Sequence, residues 1–199
     1  AFAGPLVAPS ANPSGRVSPT TAAHVRAAFD ERDVLVLDGG PCRVGIESTV
    51  VSLVGAPSIL RQGAVSVSQS EQAIRRRPHV VSDAPDAGAL RSPGMLPSHY
   101  APAAHTILFE AGALPREWRE SPRQVTLLAL AASEPTSPQT RGPRLRIQMP
   151  SAPDAYAARL YAALREADHG EEYVILIECP SAGGEFWDAI RDRLDRAAA

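Results

Sequence analysis

The chain has 199 residues, enough for one large domain or two small ones, and 44% of them are hydrophobic, so it can bury a core and is not a disordered segment. A formal charge of −2 gives no electrostatic case for a nucleic-acid or membrane partner, and no apolar run approaches the roughly 20 residues that a membrane span needs. No charged start, apolar core and cleavage site of a secretory leader is recognisable, and Cys42 and Cys179 lie far apart without a CxxC, so a reduced, cytoplasmic setting is expected.

The first residues, "GPLV", read as the end of a strand, and "APSANPSG" as a loop punctuated by Pro and Gly. "SPTTAAHVRAAF" predicts a helix with Ser18 as its cap, Pro19 at its first helical position, and Val25, Ala28 and Phe29 on one face. "DVLVL" is expected to be a buried strand and "IESTVVSLV" a second, partly alternating one, with the glycine-rich loop "DGGPCRVG" between them. "PSILRQGAV" is a short strand with a turn at Gly63, and "SQSEQAIRRR" a short helix whose arginines form a solvated end that complements the macrodipole. Residues 78–104 read as a linker rich in Pro, Ser and Ala, though "SPGMLPSHYAP" within it carries aromatic and imidazole groups. Beyond it, "HTILFE", "QVTLLAL", "RLRIQMP" and "YVILIECP" predict strands. "DAYAARLYAALREADH" predicts an amphipathic helix with Tyr156, Leu160, Tyr161 and Leu164 on one side, and "FWDAIRDRLDRAA" a last helix. Alternating strands and helices imply a mostly parallel, three-layer α/β unit over residues 105–199, whereas residues 1–77 fit part of an α+β domain on a twisted sheet.

Four stretches could carry chemistry. A Ser/Gly-rich loop leading into a helix N-terminus, as in "PSANPSGRVSPT", offers N–H groups and a positive dipole end to an anion. Ser10, Asn12, Ser14, Ser18 and Thr20 add hydroxyl and amide groups suited to phosphate, ribose or an amino acid. An ordinary capped helix after a polar loop would read the same way. Ser48 and Thr49 sit in an apolar strand on opposite faces, so one can face a cleft or be bonded to backbone; Glu47 beside them is a site carboxylate or a surface group. Arg61 at a strand end suits a phosphate or carboxylate, or a surface ion pair. Tyr100 can stack on a base and His99 can bond a phosphate, or both can pin the linker down. There is no HExxH, P-loop or GxGxxG, and no metal ligand set is assigned. The "GGEF" at 183–186 has no room around it for a signalling domain.

Taken in order, "APSANPSGRVSPT", "LDGGPCRVGIESTVV", "ILRQGAV" and "SPGMLPSHYAP" resemble the threonylcarbamoyl-AMP synthase family in its two-domain form, and "AARLYAALREAD" and "WDAIRDRLDRAA" are similar to that family's smaller C-terminal domain. The resemblance covers nearly the whole chain. It implies a nucleotidyltransferase that makes threonylcarbamoyl-AMP and pyrophosphate from L-threonine, bicarbonate and ATP, with Mg²⁺ as the expected helper. A partner complex then moves the threonylcarbamoyl group to an adenosine of tRNA. By the same resemblance Ser10 and Ser48 contact the threonine or its carbamoyl group, Asn12, Ser18, Thr20 and Arg61 hold ATP, and Tyr100 on the linker folds over the nucleotide. The chain begins with Ala1 and contains no lysine, all 20 of its basic residues being arginine. It is therefore expected to be a fragment or a processed form that lacks the lysine-bearing N-terminal part of the catalytic domain, with doubtful activity alone. The alternative is a nucleotide- or RNA-binding module without catalysis.

Overall fold

Four strand-forming segments of the second half, the central two of them buried on both faces, build the scaffold. The computed structural model describes residues 3–5, 7–30, 32–81, 101–130, 144–181 and 183–199. Strands β4 (His105–Glu110), β5 (Gln124–Leu130), β6 (Arg144–Met149) and β7 (Tyr173–Cys179) form a parallel sheet in the order β4-β7-β5-β6. Each strand sends successive side chains to opposite faces. Val125, Leu127, Val174 and Leu176 pack on one face with Trp118 of the short helix α3 (Glu117–Glu120). Leu128, Ile147, Ile175 and Ile177 pack on the other, against α4 (Pro153–Ala167) and α5 (Glu185–Ala197). The predicted stripe of Tyr156, Leu160, Tyr161 and Leu164 on α4 is fully buried, and the Tyr156 ring meets Trp187 of α5 edge-on at 5.4 Å. This is the three-layer α/β unit expected from the sequence.

The first half is thinner. Its sheet has three strands, β1 (Val50–Ser52), β2 (Ser58–Arg61) and β3 (His79–Val80), with β1 antiparallel and β3 parallel to the central β2. The segment read as the start of a linker thus opens as a strand. Helix α2 (Val67–Ile74) begins with a capping box between Ser66 and Gln69 and ends at Arg75 in the left-handed region. Arg77 turns back to Glu71 at 3.2 Å.

Three expectations are corrected. "DVLVL" is not a strand: no strand among the described residues pairs with it, and Leu35 and Leu37 stand 87% and 85% exposed. A strand needs a ladder to satisfy its backbone, and hydrophobicity alone does not supply one. "IESTVVSLV" is strand only over Val50–Ser52, and ahead of it the carbonyls of Glu47 and Ser48 accept from the side chains of Arg193 and Arg61 in place of a ladder. Helix α1 (Ala22–Ala28) is capped by Thr21, whose side chain accepts from the His24 N–H, and not by Ser18. The Ser18 hydroxyl is drawn instead to Glu47.

The two halves share one core. Val17 and Ile46, from loops of the first half, are buried in the same apolar cluster as α4 and α5. Between them, Gly45 has φ of +81° and lies so close to α4 that a Cβ would stand 2.2 Å from the Ala157 carbonyl oxygen. Gly55 has a similar φ of +76° with nothing within 4 Å. Gly55→Ala should therefore cost about 1–2 kcal/mol for the left-handed backbone alone. Gly45→Ala should cost a further 1–3 kcal/mol for overpacking. Denaturant midpoints of the two variants measure the difference, and equal losses would mean that the loop does not press on α4.

Candidate functional site

Two loops of the first half and one helix of the second line an open cavity of about 380 Å³. Its walls include Ser10 from the "APSAN" loop, Ser18 and Thr20 ahead of α1, Cys42 to Glu47, and Tyr161 of α4. The Thr20 carbonyl accepts from the Cys42 N–H at 2.8 Å, which ties the two loops together. The Thr20 N–H donates to Nδ1 of His24 at 3.1 Å, so that nitrogen is the unprotonated one.

The loops rest on arginines of the second half. Arg165 of α4 donates from Nε to the Ser18 carbonyl at 3.2 Å and from Nη2 to the Val17 carbonyl. Burial lowers its pKa from the usual guanidinium value, and nearby Asp168 opposes that. Burial, and then the charge of Arg165, also lower the pKa of His24. Arg193 of α5 has no exposed side-chain surface and donates from Nε to Glu47 Oε2 at 2.9 Å. Its Nη2 donates to the Gln62 carbonyl at 2.7 Å. Burial works against its charge, but Tyr161, Glu47 and Asp192 outweigh that and raise its pKa. Glu47 also accepts from Ser18 Oγ at 2.7 Å and from Tyr161 Oη at 2.8 Å.

The sequence candidates do not all meet. Ser10, Ser18 and Thr20 share the cavity. Ser48 and Arg61 are neighbours outside its lining, joined by Arg61 Nε to the Ser48 carbonyl at 3.1 Å. Asn12 closes its own loop, donating to the Arg16 carbonyl at 2.8 Å, and its buried Oδ1 has no hydrogen-bond partner among the described residues. Tyr100 and His99 lie outside the described residues, although the chain re-emerges at Ala101, whose N–H donates to the Gly15 carbonyl at 3.1 Å. Sequence reasoning passed over Arg193 and left Glu47 open. Arg193 had a legible signal: it falls three residues after Ile190, on the apolar stripe of α5, where a charge needs a partner.

Ser, Thr and Tyr side chains, the Glu47 carboxylate and apolar groups such as Val44 and Ile46 line one cleft set where two α/β units meet, the kind of place where small-molecule sites form. Comparison with known proteins narrows the class. The family model for the threonylcarbamoyl-AMP synthase C-terminal domain matches residues 64–199, and a model described as telomere recombination matches residues 1–63. The chain belongs to the threonylcarbamoyl-AMP synthase family. It is 35% identical to a threonylcarbamoyl-AMP synthase of Bacillus subtilis over 98% of this chain and 57% of that protein. It is 41% identical to one of Pyrococcus abyssi over 53% of this chain and 32% of that protein. The crystal structure of P. abyssi Sua5 complexed with L-threonine superposes with a TM-score of 0.74 and 26% identity, over 96% of this chain and 56% of that one. The chain thus spans little more than half the length of these relatives.

Among the described residues, no helix is long and apolar enough to cross a membrane. None of them form a group of three or more His, Cys, Asp or Glu side chains fit to hold a metal ion.

The His24 contact predicts a pH response. Its folded pKa lies below the ordinary 6.5, so the unfolded chain takes up more protons as the pH falls through that value. The stability it lends the loop is present above about pH 6.5 and is lost below it. Exchange of the Thr20 amide should quicken on acidification beyond the ordinary rate law, and His24→Phe should remove that pH dependence.

Proposed function

We propose that this chain carries part of the substrate site of an L-threonylcarbamoyladenylate synthase, a cytoplasmic nucleotidyltransferase that supplies tRNA threonylcarbamoyladenosine formation. The observation that carries the reading is the convergence of Ser10, Ser18 and Thr20 on one cavity in a member of that family. The threonine bound in the P. abyssi relative supports threonine as one ligand. In the proposed reaction the threonine amine captures bicarbonate to give a carbamate and water. A carbamate oxygen then attacks the α-phosphorus of ATP, the bond to the β-phosphate oxygen breaks, and pyrophosphate leaves. No covalent enzyme intermediate is needed, and the protein's part is positioning and charge neutralisation.

Ser10 and Ser48 are assigned to threonine or its carbamoyl group, and Asn12, Ser18, Thr20 and Arg61 to ATP. Because Ser18 gives its proton to Glu47, its oxygen faces a ligand as an acceptor, which fits a ribose hydroxyl better than a phosphate oxygen. The phosphates are left to the guanidiniums of Arg61 and Arg43. Magnesium on the triphosphate would supply charge neutralisation, and the described residues form no cluster of three or more His, Cys, Asp or Glu side chains to hold it. In this reading residues 1–77 belong to the catalytic domain, residues 78–104 form the linker that brings Tyr100 over the nucleotide, and residues 105–199 support both. The product passes to a separate tRNA-modifying complex.

The test is pyrophosphate release by this chain and by a chimera in which it replaces the matching part of the Bacillus relative. Threonine- and bicarbonate-dependent release by the chimera is expected, with Arg61→Ala lowering kcat/KM for ATP at least tenfold, the loss of a charge-assisted contact. No threonine-dependent release from either would overturn the assignment.

A further inference from the structure

The C-terminal unit does more than stand beside the cavity. Tyr161 lines it, and Glu47, also in its wall, is held by three donors from three elements. Ser18 Oγ reaches Oε1 at 2.7 Å, while Tyr161 Oη and Arg193 Nε reach Oε2 at 2.8 and 2.9 Å. Arg193 further clamps the Glu47 and Gln62 carbonyls with Nη2, at 3.4 and 2.7 Å. The backbone at Gly63 passes close beside that segment, since a Cβ there would lie 2.5 Å from the Glu47 carbonyl oxygen. The three donors hold the carboxylate in this orientation, and it receives the Ser18 proton. A second polar clasp between the halves lies apart from the cavity, where Ser68 Oγ donates to Glu185 Oε1 at 2.8 Å.

We propose that Tyr161 and Arg193 of the C-terminal unit are positioning residues for the substrate cavity, acting through Glu47 to hold Ser18 with its acceptor side toward the ligand. The inference rests on the functional reading above only for the identity of the ligand. Without Arg193 or the Tyr161 hydroxyl, Glu47 can rotate, the Ser18 hydroxyl is released, and the loops at 17–20 and 46–49 loosen.

Two readouts test this. Hydrogen exchange on the chain itself compares wild type with Tyr161→Phe, which keeps the buried ring, and with Arg193→Lys and Arg193→Met. Peptides covering 17–20 and 46–49 should exchange about tenfold faster in Tyr161→Phe and Arg193→Met, and less so in Arg193→Lys, while the α4 core around Leu164 stays protected. In the active chimera the same variants should raise KM for ATP or threonine about tenfold with a smaller effect on kcat. Glu185→Gln, at the remote clasp, should lower Tm and leave KM unchanged. Unchanged exchange at both loops would overturn the proposal, as would Glu185→Gln raising KM as much as Tyr161→Phe. Loosened loops in a chimera without threonine-dependent turnover would sustain the positioning role and overturn the synthase reading alone.

Discussion

Arg193 reaches back 146 residues to Glu47, and most of the architecture can be understood as what that contact requires. A guanidinium with no exposed surface is tolerated only when its donors are met and its charge is balanced. Here Glu47 takes Nε, Asp192 takes Nη1, and the Gln62 and Glu47 carbonyls take Nη2. Removing one partner of such a pair costs about 3–5 kcal/mol, because the other charge is left buried and alone. Two backbone carbonyls and a carboxylate from the first half are thereby committed to one point on α5. Just ahead of β1, the Glu47 carbonyl thus accepts from Arg193 and the Ser48 carbonyl from Arg61.

The apolar core follows the same logic. The loops that carry Ser18 and Glu47 have few hydrogen-bonded elements of their own. Val17 and Ile46 sink into the cluster under α4 and α5, and Gly45 lets the backbone touch Ala157. Arg165 then takes the carbonyls of Val17 and Ser18. Packing sets the distance between the halves, and the arginines set the register. A cleft assembled this way depends on both units, even though its hydroxyls come almost entirely from one of them.

The second half was legible because its signals are local. The short apolar runs of β5 and β7 and the Tyr156–Leu164 stripe of α4 need only neighbouring residues to declare a strand or a helix. The first half misled for the opposite reason. "DVLVL" has the composition of a buried strand, but a ladder is a property of two segments, and among the described residues none pairs with it. Ser18 looked like a helix cap because Pro19 follows it. The Thr21 hydroxyl was equally able to cap, and a carboxylate 29 residues away in sequence claimed the Ser18 proton.

The amino-acid sequence by itself determined the α/β class, the elements of the C-terminal unit and, through four ordered motifs, the family. It also placed Ser10, Ser18 and Thr20 among the residues of interest, although an ordinary capped helix after a polar loop reads the same way. Only the tertiary structure decided that these three meet in one cavity while Ser48 and Arg61 stand outside its lining. It alone made Glu47 a hub and Arg193 its anchor. Local preference is written in adjacent residues, whereas the partner of a buried charge is chosen by whichever segments the fold brings within hydrogen-bond reach.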